Sequence, residues 1–321
     1  MTSTRRPQAR AVRSLHEVLA AARALFAELR VDDVTIDEGP SILYGIDQNG
    51  VTLATLTIGP NYPSASEIGL PAQTNPFNPS SGYGEYRTQR LKVGATVCTV
   101  NTTSRRVRLD LSPAASTTTV LQTGRPQQPT EDALDLVMAA GGGSSTLYAL
   151  QGSIGLNAQA GDSGTLADLN VSYRTAVGSD VILRGGAGLT VTNLDMSGGQ
   201  VELQNGATTV TKSDGTLTLL STSAVTTLTN RGGTVLDDSS GTITTLTNKG
   251  VYLKRGFRAK TITTTYLYAG SRTDDPNGVV TWTNPPELTE CRLAAGPDDR
   301  GPDVAYVNFG VHKKLTVAAI S

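Results

Sequence analysis

Thr226-Thr-Leu-Thr-Asn230 and Thr244-Thr-Leu-Thr-Asn248 are the same five residues, eighteen positions apart. Thr208-Thr-Val-Thr-Lys212 precedes the first of them by another eighteen, and Leu189-Thr-Val-Thr-Asn193 by a further nineteen. A looser copy, Thr263-Thr-Thr-Tyr-Leu267, ends nineteen positions after Asn248, and Tyr173-Arg174 extends the series backward by nineteen. A second short apolar segment follows the copies: Val181-Ile-Leu183, Val201-Glu-Leu203, Leu217-Thr-Leu-Leu220, Val235-Leu236 and Val251-Tyr-Leu253. Gly, Ser, Asp and Asn fill the intervals, as in Ser197-Gly-Gly199, Ser213-Asp-Gly215 and Asp237-Asp-Ser-Ser-Gly241.

A fixed period near twenty residues marks a solenoid. One coil of such short strands cannot bury a core. Coils stacked on one another bury a continuous column of Val, Leu and Ile, and each backbone finds its hydrogen-bond partners in the next coil. Thr suits this arrangement, because its branched Cβ favours the strand and its hydroxyl faces the Thr of the neighbouring coil. Asn193, Lys212, Asn230 and Asn248 are the expected ladder positions, one coil apart, where amides stack. The expected fold is mainly β, a parallel β-helix over residues 165–270. The hexapeptide spacing of the left-handed form is missing, which predicts right-handed winding. The L-x-x-L-x-L-x-x-N frame of leucine-rich repeats is also missing.

Composition agrees. The 321 residues include 34 Gly and 45 Thr, with 17% charged and 5% aromatic residues. A formal net charge of −1 argues against a basic nucleic-acid-coating protein. Two cysteines, Cys98 and Cys291, do not make a disulfide scaffold and read as reduced thiols. No apolar run approaches the ~18 residues of a membrane span, so no membrane partner is expected. The charged start, Met1-Thr-Ser-Thr-Arg-Arg-Pro, is not followed by the apolar stretch of an export signal.

The flanks divide into expected units. Residues 1–31 hold a basic arm and an amphipathic helix. Val12, Leu15, Leu19, Ala22, Phe26 and Leu29 follow a 3-4 spacing, which fits a helix packed on its own β domain or a short parallel coiled coil in a homo-oligomer. Arg5, Arg6, Arg10 and Arg13 precede the first acid of the chain's helix, Glu17. They read as a solvated tail or as a contact for an acidic surface. One small cluster on a neutral chain is weak support for nucleic acid. Residues 32–121 read as a small β domain, with a hairpin of 41–46 against 51–58 through Asn49-Gly50 and strands at 91–100 and 105–111. Residues 122–164 read as a linker carrying a short helix at 131–140, with acids in its first turn and Gly141 past its end. Residues 271–321 are the expected C-terminal β cap, which a solenoid end requires.

No catalytic signature emerges. His16 and His312 stand beside no Ser or Cys in a nucleophilic frame. Asp237-Asp238, Asp274-Asp275 and Asp298-Asp299 resemble the carboxylate pairs of sugar cleavage, but each sits among turn-forming residues. Gly185-Gly-Ala-Gly188 lacks the P-loop Lys and reads as a corner. Tyr252, Lys254, Arg255, Arg258 and Lys260 fall near one coil and suggest a contact for an acidic glycan or an acidic protein. No metal or cofactor site is read from the sequence.

The plan of N-terminal helix, small β domain and Thr/Gly-rich β-helix resembles tailed-bacteriophage virion proteins of the tailspike, head-fibre and decoration types. The resemblance implies a non-enzymatic structural component of a virion, made in the host cytoplasm and docked on capsid or tail proteins through residues 1–121. It further implies a homo-oligomer, commonly a trimer. The alternative is a polysaccharide-binding or polysaccharide-cleaving β-helix acting on a host surface glycan.

Overall fold

The computed structural model describes residues 117–123, 132–138, 145–158, 160–171, 181–294, 298–299 and 301–310. Nearer the N-terminus it describes strand backbone only: Asp33–Glu38, Thr55–Asn61, Thr74–Asn75, Asn78–Gly82, Leu91–Lys92, Val97–Thr102 and Val107–Asp110. The basic arm, the helix stripe, the 41–46 strand, His16 and His312 lie outside the described residues.

The described chain is a β-solenoid. Its backbone alternates between two sheets. The first joins, in order, Asp33–Glu38, Thr55–Asn61, Val97–Thr102, Thr117–Gln122, Thr146–Ala149, Gly164–Val171, Leu189–Met196, Gly206–Lys212, Ala224–Asn230, Ile243–Asn248, Lys260–Tyr268 and Val280–Trp282, with Glu287–Thr289 also against Lys260–Tyr268. The second joins Leu91–Lys92, Val107–Asp110, Leu134–Val137, Ser153–Leu156, Ile182–Gly185, Gln200–Leu203, Thr216–Leu219, Thr234–Asp237, Val251–Lys254, Arg272–Asp274, Val304–Asn308 and Arg292–Leu293. Every pairing within them is parallel. Seven coils run from Thr146 to Asp274. Outside them, Thr74–Asn75 and Asn78–Gly82 form a small antiparallel pair.

Side-chain alternation explains the stacking. In Ala224–Asn230, the side chains of Val225, Leu228 and Asn230 are buried while Thr226, Thr227 and Thr229 face outward. Strand period two sets Leu228 and Asn230 on one face, and Val225, three residues before Leu228, is buried as well. The next strand repeats this with Ile243, Leu246 and Asn248. The register therefore stacks like on like. Leu147, Leu169, Leu194, Val210, Leu228 and Leu246 form one interior column. Leu134, Ile154, Leu183, Val201, Leu217, Val235 and Tyr252 form another, in the second sheet. The outward Thr227 and Thr245 are register partners, as are Thr229 and Thr247.

Two expectations change. The helix expected at 131–140 is the strand Leu134–Val137, in which Leu134 and Leu136 are buried and join the second sheet. Asp132, expected in the first turn of that helix, instead pairs with Arg184 at 2.5 Å. Asn193 is not in the ladder: it is exposed and registers with Thr209, whereas Met196 registers with Lys212. The coil between those strands is sixteen residues long, not nineteen, so equal spacing in the sequence misplaced it. Described strands within 32–121, 122–164 and 271–321 join the same two sheets as the repeat, apart from the pair Thr74–Asn75 and Asn78–Gly82.

Candidate functional site: the polar corners of the interior

Two interior columns turn from apolar to polar as the solenoid proceeds. In the first sheet, Ala149, Val171 and Met196 give way to Lys212, Asn230 and Asn248, and the column ends on Leu267 and Leu288. In the second sheet, Leu156, Gly185, Leu203 and Leu219 give way to Asp237 and Lys254. Both columns sit at strand ends, where the chain turns the corner. Turn carbonyls there face inward and need donors, because a buried unpaired backbone group is costly.

The Lys212 corner meets this need with a ladder. Lys212 Nζ donates to the Gly232 carbonyl and to Asn230 Oδ1, the latter at 3.3 Å. Asn230 Nδ2 donates to Asn248 Oδ1 at 2.9 Å and to the Val251 carbonyl at 3.1 Å. Asn248 Nδ2 donates to the Arg272 carbonyl and to Thr273 Oγ1, each at 2.9 Å. Of the four expected ladder residues the structure brings together Lys212, Asn230 and Asn248. Burial lowers the Lys212 pKa to about 8, with Asp214 partly opposing the shift.

The opposite corner holds a denser cluster. Asp237, Tyr252 and Lys254 are 0% exposed and Lys260 2%. Tyr252 donates to Asp237 Oδ2 at 2.6 Å, and Lys260 Nζ lies 2.8 Å from the same oxygen. Ser239 Oγ donates to Asp237 Oδ1 at 2.8 Å and accepts from Lys260 Nζ at 2.6 Å. Lys254 Nζ donates to the carbonyls of Asp237, Ser239 and Arg255. Burial, then the neighbouring Asp237, raises the Tyr252 phenol well above its ordinary pKa. Burial lowers Lys260, and Asp237 opposes that shift. A cluster sealed in this way meets no diffusing substrate; its chemistry is confined to its own side chains.

This alters the reading of the basic patch. Tyr252, Lys254 and Lys260 point inward, leaving Arg255 and Arg258 on the surface. Arg255 pairs with Asp238 at 2.7 Å, and Arg258 donates to the Ser221 carbonyl at 3.2 Å. Between them Phe257 is 84% exposed, a feature that composition did not reveal. The three acidic pairs also separate. Asp237 is interior while Asp238 faces out; Asp274 meets Arg272 at 2.6 Å, and Asp275 accepts the Val279 and Val280 N–H groups of its own turn. Asp299 binds Arg292 at 2.6 Å.

An open groove of about 310 Å³ runs along the corner, lined by Thr190, Asn205, Thr208, Thr226, Thr242 and Thr244 among others, with no charged side chain. Among the described residues, no group of three or more His, Cys, Asp or Glu is arranged to hold a metal ion. The thiol of Cys291 is buried and donates to the Leu267 carbonyl at 3.3 Å. In comparisons with family models, curated proteins and solved structures, nothing matches the chain.

Proposed function

We propose that this chain is a non-enzymatic structural component of a tailed-phage virion, a shaft that docks on capsid or tail proteins. The observation that supports this reading is the winding of one backbone into two parallel sheets whose coils stack in register from Thr146 to Asp274. At ~4.8 Å per coil, seven coils make a rod segment about 34 Å long. Each coil pairs with its neighbours through both of its strands, which suits a stiff projection. The strongest polar groups of the repeat are spent on its own turns. Right-handed winding belongs to this reading, because parallel crossover connections overwhelmingly take that hand. So do a docking helix over Val12–Leu29, a homotrimer and a virion location.

Two measurements test it. The solution mass of the full chain is expected near three times 33.5 kDa, about 100 kDa. Antibody labelling of purified particles from the encoding phage is expected to decorate a projection. A monomer that is missing from those particles overturns the reading.

A second reading, a glycan-binding or glycan-cleaving solenoid, draws support from the hydroxyl-lined groove at Thr208, Thr226 and Thr244. Saturable binding of a neutral host polysaccharide, lost on Thr226→Val, would favour it.

A further inference from the structure

We propose that Lys260 and Asp237 join covalently, the side-chain amine being acylated by the side-chain carboxyl to give an intramolecular amide inside the solenoid. The proposal rests on the geometry of the Asp237 corner and is independent of the virion reading. Lys260 Nζ is 2.8 Å from Asp237 Oδ2, and neither side chain touches solvent. Such a pair has two fates. It persists as an ion pair, or it condenses where neighbouring groups assist.

The neighbours are placed for assistance. Tyr252 donates to Oδ2 at 2.6 Å, where negative charge grows when an amine adds to the carboxyl carbon. Its phenol keeps its proton, because burial and Asp237 raise its pKa. Ser239 Oγ accepts from Lys260 Nζ at 2.6 Å and donates to Oδ1 at 2.8 Å, so one hydroxyl links the proton source to the oxygen that must leave. The Ser223 carbonyl competes for that hydroxyl proton at the longer distance of 3.0 Å. The Ser239 N–H also donates to Oδ1, at 2.9 Å. Desolvation favours the neutral amine over the ammonium, and the neutral amine is the nucleophile. Lys254 is already committed to three carbonyls and does not compete for the carboxyl.

The balance closes without a co-reactant. The ion pair begins with three protons on Nζ and none on the carboxylate. The Nζ–Cγ bond forms and the Cγ–Oδ1 bond breaks. Two protons pass from Nζ through Ser239 Oγ to Oδ1, which departs as water, and one stays on the amide nitrogen. Fixed proximity supplies what a bimolecular condensation in water lacks. Asp237 ends the strand Thr234–Asp237 and Lys260 begins Lys260–Tyr268, so the amide ties neighbouring coils at their corner.

Intact-mass measurement of the purified full chain tests this directly. The expected mass is about 18 Da, one water, below that of the sequence. Peptide mapping is expected to recover a branched species joining the segments that contain Asp237 and Lys260. Lys260→Arg keeps the positive charge but is expected to restore the full mass, and Ser239→Ala is expected to lower the cross-linked fraction severalfold. Should the arginine variant not fold, the branched peptide of the unaltered chain still decides. Folded chain that retains its full sequence mass after prolonged incubation overturns the proposal. So does a water deficit that maps to a succinimide in a linear peptide.

Discussion

Asn230 donates its side-chain amide to Oδ1 of Asn248, the residue that registers with it in the next coil, at 2.9 Å. Asn248 in turn accepts the Gly250 N–H and donates to the Arg272 carbonyl and Thr273. Removing its amide leaves several buried polar groups without partners. Asn248→Ala is expected to cost about 2–4 kcal/mol in urea unfolding. The outward Thr245→Ala, one strand face away, is expected to cost under about 1 kcal/mol. Equal costs at the two positions would contradict an interior ladder.

Lys212 gives the solenoid a pH dependence with a defined sign. Its pKa is lowered to about 8 in the folded chain, chiefly by burial. In the unfolded chain it returns to the ordinary lysine value. Below about pH 8 both states hold the proton, and the folded state carries the full penalty of a buried charge. As pH rises from there to the ordinary value, the unfolded chain binds more protons, so stability increases; the full gain is about 3 kcal/mol. Met196 registers with Lys212 in the same column, so Lys212→Met fits the space. Urea midpoints of the two proteins, followed from neutral to alkaline pH, are expected to show this rise in the parent and not in the variant. A flat difference between them would place the ammonium in water.

Gly215 tests the tightness of the same corner. Its φ is +81°, in the left-handed region, and a Cβ there would overlap the Gly199 carbonyl of the preceding coil. Gly233, with φ +66°, stacks on Gly215 in the same way. Gly215→Ala therefore combines strain with a backbone clash and is expected to cost more than about 2 kcal/mol. A thermal midpoint unchanged by this substitution would mean that the coils do not stack as closely as described.

Much of the architecture was legible because the repeat is nearly verbatim. Thr226–Asn230 and Thr244–Asn248 differ in no residue, and their spacing of eighteen is the register itself. Where coil length varies, the same arithmetic fails. Asn193 lies nineteen residues before Lys212, yet Met196 is its neighbour in space, because burial of Leu194 and Met196 sets the register and the turn absorbs the difference. The strand Leu134–Val137 was hidden by Glu131 and Asp132, which mimic a helix start, although Leu134, Leu136 and Met138 are buried in steps of two. The Asp237 cluster was legible only in part: Tyr252, Lys254 and Lys260 fall near one coil, but nothing in the sequence joins Asp237 to them. Its members are spread over 24 residues, and only the register shows that Asp237 occupies the interior column of Leu203 and Leu219. A charged residue at an inward phase of a strand is the signal that finds it, once the phase is known.

Parallel, in-register coils are the claim on which every other statement depends, and disulfide trapping tests it most directly. In a cysteine-free background, Thr227→Cys with Thr245→Cys, and separately Thr229→Cys with Thr247→Cys, place thiols on outward register partners. Parallel neighbours ~4.8 Å apart lie within disulfide reach. Both pairs share one offset, which no antiparallel pairing of these strands can satisfy twice. The account predicts that both pairs oxidise readily in the folded chain. Trapping of one pair only, or of neither, would contradict it.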